Sequence, residues 1–167
     1  MAFIPFAAAV SISYLGLAVG VLISLGAKDE LAAGKKFFVW LQKAIILAVV
    51  LVALNFLHGP KLIIAVAIVA AAFLIFKFNS ARTGLAYSVF AVFAFLASQT
   101  PQALLTLSSL VFLFGLPTGS IYYAVNQKRG AVAAVRALLV KNSPYVAIAF
   151  LLYSLYSIFV LKQFRLL

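Results

Sequence analysis

A proline inside an apolar run, flanked by glycines and followed by hydroxyl residues, is the most chemically suggestive feature of this sequence. Proline has no N–H to bond the carbonyl four residues earlier, so a helix here should kink and free that carbonyl. In a membrane helix, a free carbonyl beside hydroxyls can hold a ligand or a cation. The hydroxyls can equally satisfy the freed backbone with no ligand present, and both alternatives stay open. The residues of this candidate site are Leu113, Gly115, Pro117, Thr118, Gly119 and Ser120.

Three tyrosines within apolar runs extend this candidate site. Tyr14 lies in the first run, and Tyr153 and Tyr156 lie in the last. A tyrosine away from water needs a partner for its hydroxyl group. These side chains therefore either line a weakly polar, aromatic cavity or form hydrogen bonds between helices.

Small residues recur at helical spacing in two places. Gly16 and Gly20 are followed at the same interval by Ser24, and the pattern Gly-Leu-x-x-Gly returns at Gly115 and Gly119. Small residues four apart let two helix backbones approach closely. We interpret both pairs as helix-packing positions, with a backbone-lined binding groove as the alternative.

The groups that membrane enzymes and ion-coupled carriers need are scarce. The chain has no cysteine and one histidine, His58. Its two acids, Asp29 and Glu30, are adjacent, so on a helix they point about 100° apart and do not face one substrate. A catalytic pair, a metal site or an intramembrane proton carrier lacks its residues. We expect no enzyme activity, no metal and no cofactor.

The elements that would carry these residues are six apolar runs without a single acid. Hydrophobic residues make up 67% of the 167 residues and charged residues 9%. Runs of about 18 or more apolar residues are typical of membrane-spanning helices. The sequence predicts an all-α, polytopic membrane protein, a bundle of six transmembrane helices forming a single transmembrane domain over residues 1–167. The predicted helices cover about 3–25, 37–57, 62–76, 84–98, 103–125 and 144–161.

Basic residues concentrate on one side of this predicted bundle, ten against three on the other. Cytoplasmic loops are enriched in Lys and Arg, so both termini should lie outside, in what we expect to be a prokaryotic cell membrane. The net charge of +11 does not indicate nucleic-acid binding, because the membrane leaves no basic face. The basic loop residues singled out are Lys28, Lys35, Lys36, Lys128, Arg129, Arg136 and Lys141.

The segment 130–140 is the least certain element. It has an apolar face, with Arg136 toward one side. A short helix on the membrane surface is one interpretation. A cytoplasmic extension of a neighbouring helix is the other.

Two functions fit these observations. The first is a subunit that binds or translocates a small, neutral or weakly polar solute without its own ion coupling. The layout resembles the substrate-binding membrane subunits of energy-coupling-factor vitamin transporters, although Gly16-x-x-x-Gly20 stands where those subunits carry Ala-x-x-x-Ala. The second is a non-catalytic accessory or assembly subunit, with glycine stripes facing partner helices and basic loops docking on other membrane or cytoplasmic subunits. An enclosed polar cavity would favour the first, and a solid bundle with exposed small-residue stripes the second.

Overall fold

A computed structural model describes residues 3–27, 31–56, 83–127 and 130–165 of the chain. These residues are helical apart from short connections, which agrees with the predicted all-α class. The predicted helix 62–76 and His58 lie outside the described residues. The helices are α1 (Phe3–Gly26), α2 (Leu31–Phe56), α3 (Thr83–Ala97), α4 (Pro101–Val125), α5 (Ala131–Asn142) and α6 (Pro144–Arg165).

Four stretches of the described chain are long and apolar enough to cross a membrane. Three of them are α1, most of α2, and α4, and the fourth runs through α5 into α6 as Ala131–Ile158. Helix α3 has only 15 residues, about 22 Å at 1.5 Å per residue. This is less than the hydrocarbon core, which is about 30 Å thick. The described helices are therefore compatible with an integral membrane protein.

The centre of the bundle is a parallel pair, α1 and α4, joined at their glycines. A Cβ atom on Gly16 would collide with the carbonyl oxygen of Phe112, and one on Gly20 with that of Leu116. In the reverse direction, Cβ atoms on Gly115 and Gly119 would strike the α1 backbone at positions 16–21. The four glycines are buried in this one interface, where only hydrogen fits between the two backbones.

Helices α5 and α6 lie end to end along α1 and run antiparallel to it. The Tyr14 hydroxyl donates to the carbonyl of Leu139, and Ser13 bonds the Tyr145 hydroxyl at 2.7 Å. Farther along, Phe6 stacks on Tyr153 with ring centroids 4.6 Å apart. These contacts follow one register, so residues 131–153 accompany α1 over most of its length.

In the structure, residues 131–142 form α5, which extends α6 toward its N-terminus, and the placement of 130–140 at the membrane surface or in the cytoplasm stays a prediction. Ala134 and Leu138, on the apolar face of α5, are buried against the bundle. Ser143 separates α5 from α6 but keeps near-helical backbone angles, φ −55° and ψ −26°. The membrane-length stretch begins at Ala131 and not at the predicted residue 144, because the Ser-Pro signal does not turn the chain.

The start of α2 also differs from the prediction. The helix begins at Leu31, six residues before the predicted position 37, so Lys35 and Lys36 belong to a helix and not to a loop. Leu31 follows Gly26 by five residues, at most about 18 Å of extended chain, so α2 starts near the end of the bundle where α1 finishes. We call this the basic end, defined by Gly26 and the exposed Lys35 and Lys36.

Candidate functional site

Two consecutive hydrogen bonds between polar groups join α2 to α4 near the basic end. Gln42 is fully buried, and its Nε2 donates to Thr118 Oγ1 at 2.7 Å. The Thr118 hydroxyl in turn donates to the carbonyl of Phe114, also at 2.7 Å. A hydroxyl has a single proton, and Thr118 uses it on Phe114, so Gln42 must be the donor in the first bond. This assignment directs the amide nitrogen of Gln42 to α4 and leaves its Oε1 as an acceptor.

A cavity of about 210 Å³ adjoins these hydrogen bonds, between α2, α3, α4 and α5. It extends along α4 from Thr118 to Asn126, which is eight residues or about 12 Å. Asn126 caps the C-terminus of α4, so the cavity reaches the basic end of the bundle. Its lining residues are Gln42, Thr83, Thr118, Ile121, Tyr122, Val125, Asn126, Leu138 and Lys141.

Two buried oxygens in the wall of the cavity lack a hydrogen-bond partner among the described residues. They are Oε1 of Gln42 and Oγ1 of Thr83. Both side chains are almost completely enclosed, with exposed fractions of 0% and 3%. Leaving a buried polar atom unpaired costs about 1–3 kcal/mol. Two such atoms in one cavity wall suggest groups that await an occupant able to bond them.

The backbone of Lys141 lies at mid-height in the bundle, and its side chain is exposed. Lys141 lies between Leu139 and Tyr145, which contact Tyr14 and Ser13 of α1. Residues 13–14 precede Gly26 by about three helical turns, so the backbone of Lys141 lies about 18 Å from the basic end. Lys141 occupies the last turn of α5 and lines the cavity, so it belongs to a helix and not to a loop.

The N-terminus of α3 lies at the same height. A Cβ atom on Gly84 would approach the Lys141 carbonyl oxygen to 3.5 Å, and Thr83 beside it lines the cavity. From Thr83 onward, the described part of α3 runs away from the basic end, parallel to α6. The contact of Phe95 with Tyr156, 6.0 Å between ring centroids, marks the far end of this pairing.

An aromatic layer lies farther from the basic end than the cavity. Tyr87 lies one turn after Thr83 on α3, is fully buried, and contacts Tyr14, Tyr145 and Phe114 at centroid distances of 5.6–6.5 Å. The Tyr87 hydroxyl has no partner among the described residues. These rings leave a polar cavity on one side and a packed apolar core on the other.

The predicted ligand residues do not converge on one site. Of that set, Thr118 lines the cavity, and Tyr14 belongs to the aromatic layer. Tyr153 packs on Phe6 and Tyr156 beside Phe95, both at the end opposite the basic end. Leu113 is exposed on another face of α4, beside Leu105.

The helix that contains the proline is a single element in the structure. Helix α4 continues through Pro117 from Pro101 to Val125. Gly115 and Gly119 pack on α1, and Ser120 donates to the carbonyl of Gly20 at 3.1 Å. Ser24 donates to the same carbonyl at 2.9 Å. These hydroxyls bond the carbonyls of Phe114 and Gly20, whereas the carbonyl that Pro117 leaves without its helical donor is that of Leu113, so both alternatives for this site stay predictions.

The other basic positions divide into two groups. Arg136 is exposed on α5, where it borders an apolar groove formed with Ala18 and Leu22 of α1. Lys28, Lys128 and Arg129 lie outside the described residues, as do Asp29 and Glu30.

The sequence did not identify Gln42 and Thr83 as site residues, and it placed Lys141 in a loop rather than in a helix. Gln42 had a usable signal, because a glutamine inside an apolar run is costly unless it is paired. Nothing in the spacing links it to Thr118, which lies 76 residues away in the chain.

Comparisons with protein-family models, with curated proteins and with solved structures found no match. Among the described residues, no three metal-ligating side chains lie close enough to hold an ion. The polar groups that the site offers are an amide, hydroxyls and an ammonium.

Proposed function

We propose that this chain is an integral membrane protein that binds a small polar solute in the cavity at Gln42, Thr83, Thr118 and Lys141, and passes it across the membrane. The observation that carries the proposal is the pair of unpartnered buried oxygens in a cavity near mid-height. A solute that bonds these oxygens recovers the cost of leaving them unpaired. Ligand sites of membrane transporters commonly lie near the bilayer midplane.

The direction of access follows from the two ends of the cavity. Toward the basic end, the cavity continues to Asn126. Toward the other end, Tyr87, Tyr145 and their neighbours fill the path. In this proposal, the solute enters from the basic end, and its release on the opposite side requires these rings to separate.

The proposed topology is a six-helix bundle whose basic end faces the cytoplasm, with both termini outside. The basic residues of that end support it through the positive-inside bias. The sixth helix in this proposal is the predicted segment 62–76, and a prokaryotic cell membrane is the proposed location.

The packing of the glycines argues against a purely accessory role. In that hypothesis the stripes at Gly16 and Gly20 face partner helices, but both glycines contact α4 of the same chain. Partner subunits remain part of the proposal, since a solute carrier without ion coupling needs another source of energy or a downhill gradient.

Ligand-dependent stabilisation tests the proposal. The full chain in lipid nanodiscs is screened against a library of small polar metabolites, with thermal unfolding as the readout. A ligand at a hundredfold its Kd stabilises the folded state by about 2.7 kcal/mol, so a true ligand raises the unfolding temperature measurably. We expect at least one such compound.

Two blocking variants and a matched control define where the ligand binds. Leu138→Phe fills the buried wall, and Val125→Trp narrows the exposed mouth without overpacking the core. Val132→Trp adds the same bulk at an exposed valine outside the cavity. Stabilisation should vanish in the blocking variants and persist in the control. No hit in wild type, or hits that survive both blocking variants, would reject solute binding here and leave the accessory role.

A further inference from the structure

We propose that a surface groove between α1 and α5 holds one acyl chain of an anionic phospholipid, whose headgroup phosphate bonds Arg136. The groove shares no lining residue with the cavity at Gln42. The inference therefore goes beyond the proposed function. It requires that the chain spans a membrane, but not that it carries a solute.

The groove is apolar apart from one charged side chain. Its volume is about 450 Å³, and it is lined by Ala18 and Leu22 of α1 and by side chains of α5, Arg136 among them. Leu22, Val132 and Val140 line it and are each more than half exposed. Exposed apolar groups that form one groove indicate a binding site for an apolar ligand. In a membrane, the apolar molecules at hand are acyl chains.

The length of the groove matches the acyl region of one leaflet. Along α5 the groove extends from Ala131 to Val140, which is nine residues or about 14 Å. One leaflet contributes about half of a hydrocarbon core that is about 30 Å thick. On α1, Leu22 precedes Gly26 by four residues, so the groove begins about 6 Å from the basic end. A lipid whose headgroup lies at the basic end can therefore place an acyl chain along the groove.

Arg136 needs an anion because it lies within a stretch of membrane length. The stretch Ala131–Ile158 is long and apolar enough to cross a membrane, and Arg136 follows its first residue by five residues, or about 8 Å. A charged side chain at this depth is costly unless it is paired or reaches the interface. An arginine near a helix end lays its aliphatic part on apolar surface and extends its guanidinium to the headgroups.

No acidic side chain pairs with Arg136 within the ranges that the structure describes. Both acids of the sequence, Asp29 and Glu30, lie outside them, and Arg136 is exposed. A guanidinium can bond two phosphate oxygens at once, and basic groups between membrane helices bind anionic headgroups. A zwitterionic headgroup brings its own cation, which repels the guanidinium. The charge therefore selects a phospholipid with a net negative headgroup.

Native mass spectrometry of the full chain tests this selectivity. The protein is delipidated in mild detergent and titrated with phosphatidylglycerol or phosphatidylcholine of identical acyl chains. We expect the first phosphatidylglycerol to bind about fivefold more tightly, which is the preference that one basic residue near a membrane surface provides. Equal affinities for the two lipids would overturn the proposal.

Charge substitutions locate the preference. Arg136→Gln should remove it by weakening the binding of phosphatidylglycerol alone, and Arg136→Lys should keep most of it. Lys36→Gln is the matched control, because it removes one positive charge from an exposed position on α2 outside the groove. A preference that falls equally in Arg136→Gln and Lys36→Gln belongs to the overall charge of the protein and overturns the site.

Filling the groove tests the position of the acyl chain. Ala18→Phe adds a ring to the lining, and Ala147→Phe adds the same ring at an exposed alanine of α6 outside the groove. We expect the first variant to retain less of both lipids and the second to behave as wild type. If Ala18→Phe does not fold, Val132→Trp replaces it, since a residue that is 85% exposed does not overpack the core. Unchanged lipid retention in the groove variant would overturn the proposal.

The remaining outcomes separate this groove from other occupants and from the solute cavity. A dimer that Ala18→Phe dissociates and phosphatidylglycerol leaves intact would assign the groove to a second copy of the chain and overturn the lipid site. Val125→Trp, which narrows the cavity, should leave lipid selectivity unchanged. Val132→Trp should keep the stabilisation by a solute. Failure of either proposal is therefore visible without the other.

Discussion

At the scale of single residues, Thr118 connects two helices, which its residue type alone does not predict. Its hydroxyl receives the Gln42 amide and donates to the carbonyl of Phe114, so one side chain links α2 to the backbone of α4. Interhelical hydrogen bonds in membrane proteins average about 0.6 kcal/mol and reach about 1.7. The bond matters more for orienting Gln42 than for its energy, because it decides which amide atom faces the cavity.

Replacing Thr118 by valine tests this role. The substitution keeps the shape and leaves both polar atoms of Gln42 without a described partner, so we expect a loss of about 1–2 kcal/mol in unfolding free energy. Thr118→Ser keeps the hydroxyl and should cost less than half of that. Adding Gln42→Leu to Thr118→Val should restore part of the loss. Equal destabilisation by serine and valine would show that packing, not the hydrogen bond, holds Thr118.

At the scale of the helices, the pairing of α1 with α4 organises the bundle. Each glycine faces backbone atoms of the other helix, so no flexible side chain can yield to a larger residue. The pairing fixes the height of α4 relative to α1. It thereby sets the height of Thr118, which lies between Pro117 and Gly119.

Gly16→Ala should weaken the packing of α1 on α4 and lower the unfolding temperature. The added methyl group meets the Phe112 carbonyl, and overpacking of this kind costs about 1–3 kcal/mol. Gly26→Ala is the matched control, because a Cβ atom there has nothing within 4 Å. Thermal unfolding in mild detergent should show a clear loss for the first variant and none for the second. Equal behaviour of the two would mean that the helices do not touch at Gly16 in the membrane.

At the scale of the whole molecule, the arrangement of charge and cavity defines two unlike ends. Lys35 and Lys36 are exposed at the end that the cavity reaches. Gln99 is exposed in the turn between α3 and α4, at the opposite end. A bilayer must separate these ends if α1 and α4 cross it.

The absence of cysteine from the sequence makes this topology directly testable. Single-cysteine variants Lys35→Cys and Gln99→Cys introduce one thiol at each end. A membrane-impermeant maleimide added to intact cells should label Gln99→Cys, and Lys35→Cys only after permeabilisation. The reverse pattern would invert the proposed orientation, and labelling of both from outside would argue against a membrane-spanning bundle.

The candidate site illustrates the limits of sequence reasoning. Thr118 was recognised because proline and glycine flank it, which is a local signal. Lys141 was assigned to a loop because Asn142, Ser143 and Pro144 resemble a helix boundary, yet the chain continues along α1. Gln42 and Thr83 carry no local pattern, and only their common neighbours identify them.

The sequence by itself predicted the helical class, and its apolar runs are compatible with a membrane. Long apolar runs without acids are rare in soluble proteins. In lipid, the N–H and C=O groups of the backbone must form hydrogen bonds within the protein, and a helix forms all of them within one segment. The spacing of Gly16 with Gly20 and of Gly115 with Gly119 also predicted close packing between helix backbones. Tertiary structure alone decided that these two pairs contact each other, that α5 packs along α1 with one face, and that Gln42, Thr83 and Lys141 line one cavity. Such contacts depend on the relative height and rotation of helices, which side chains distant in the chain set jointly and no local period records.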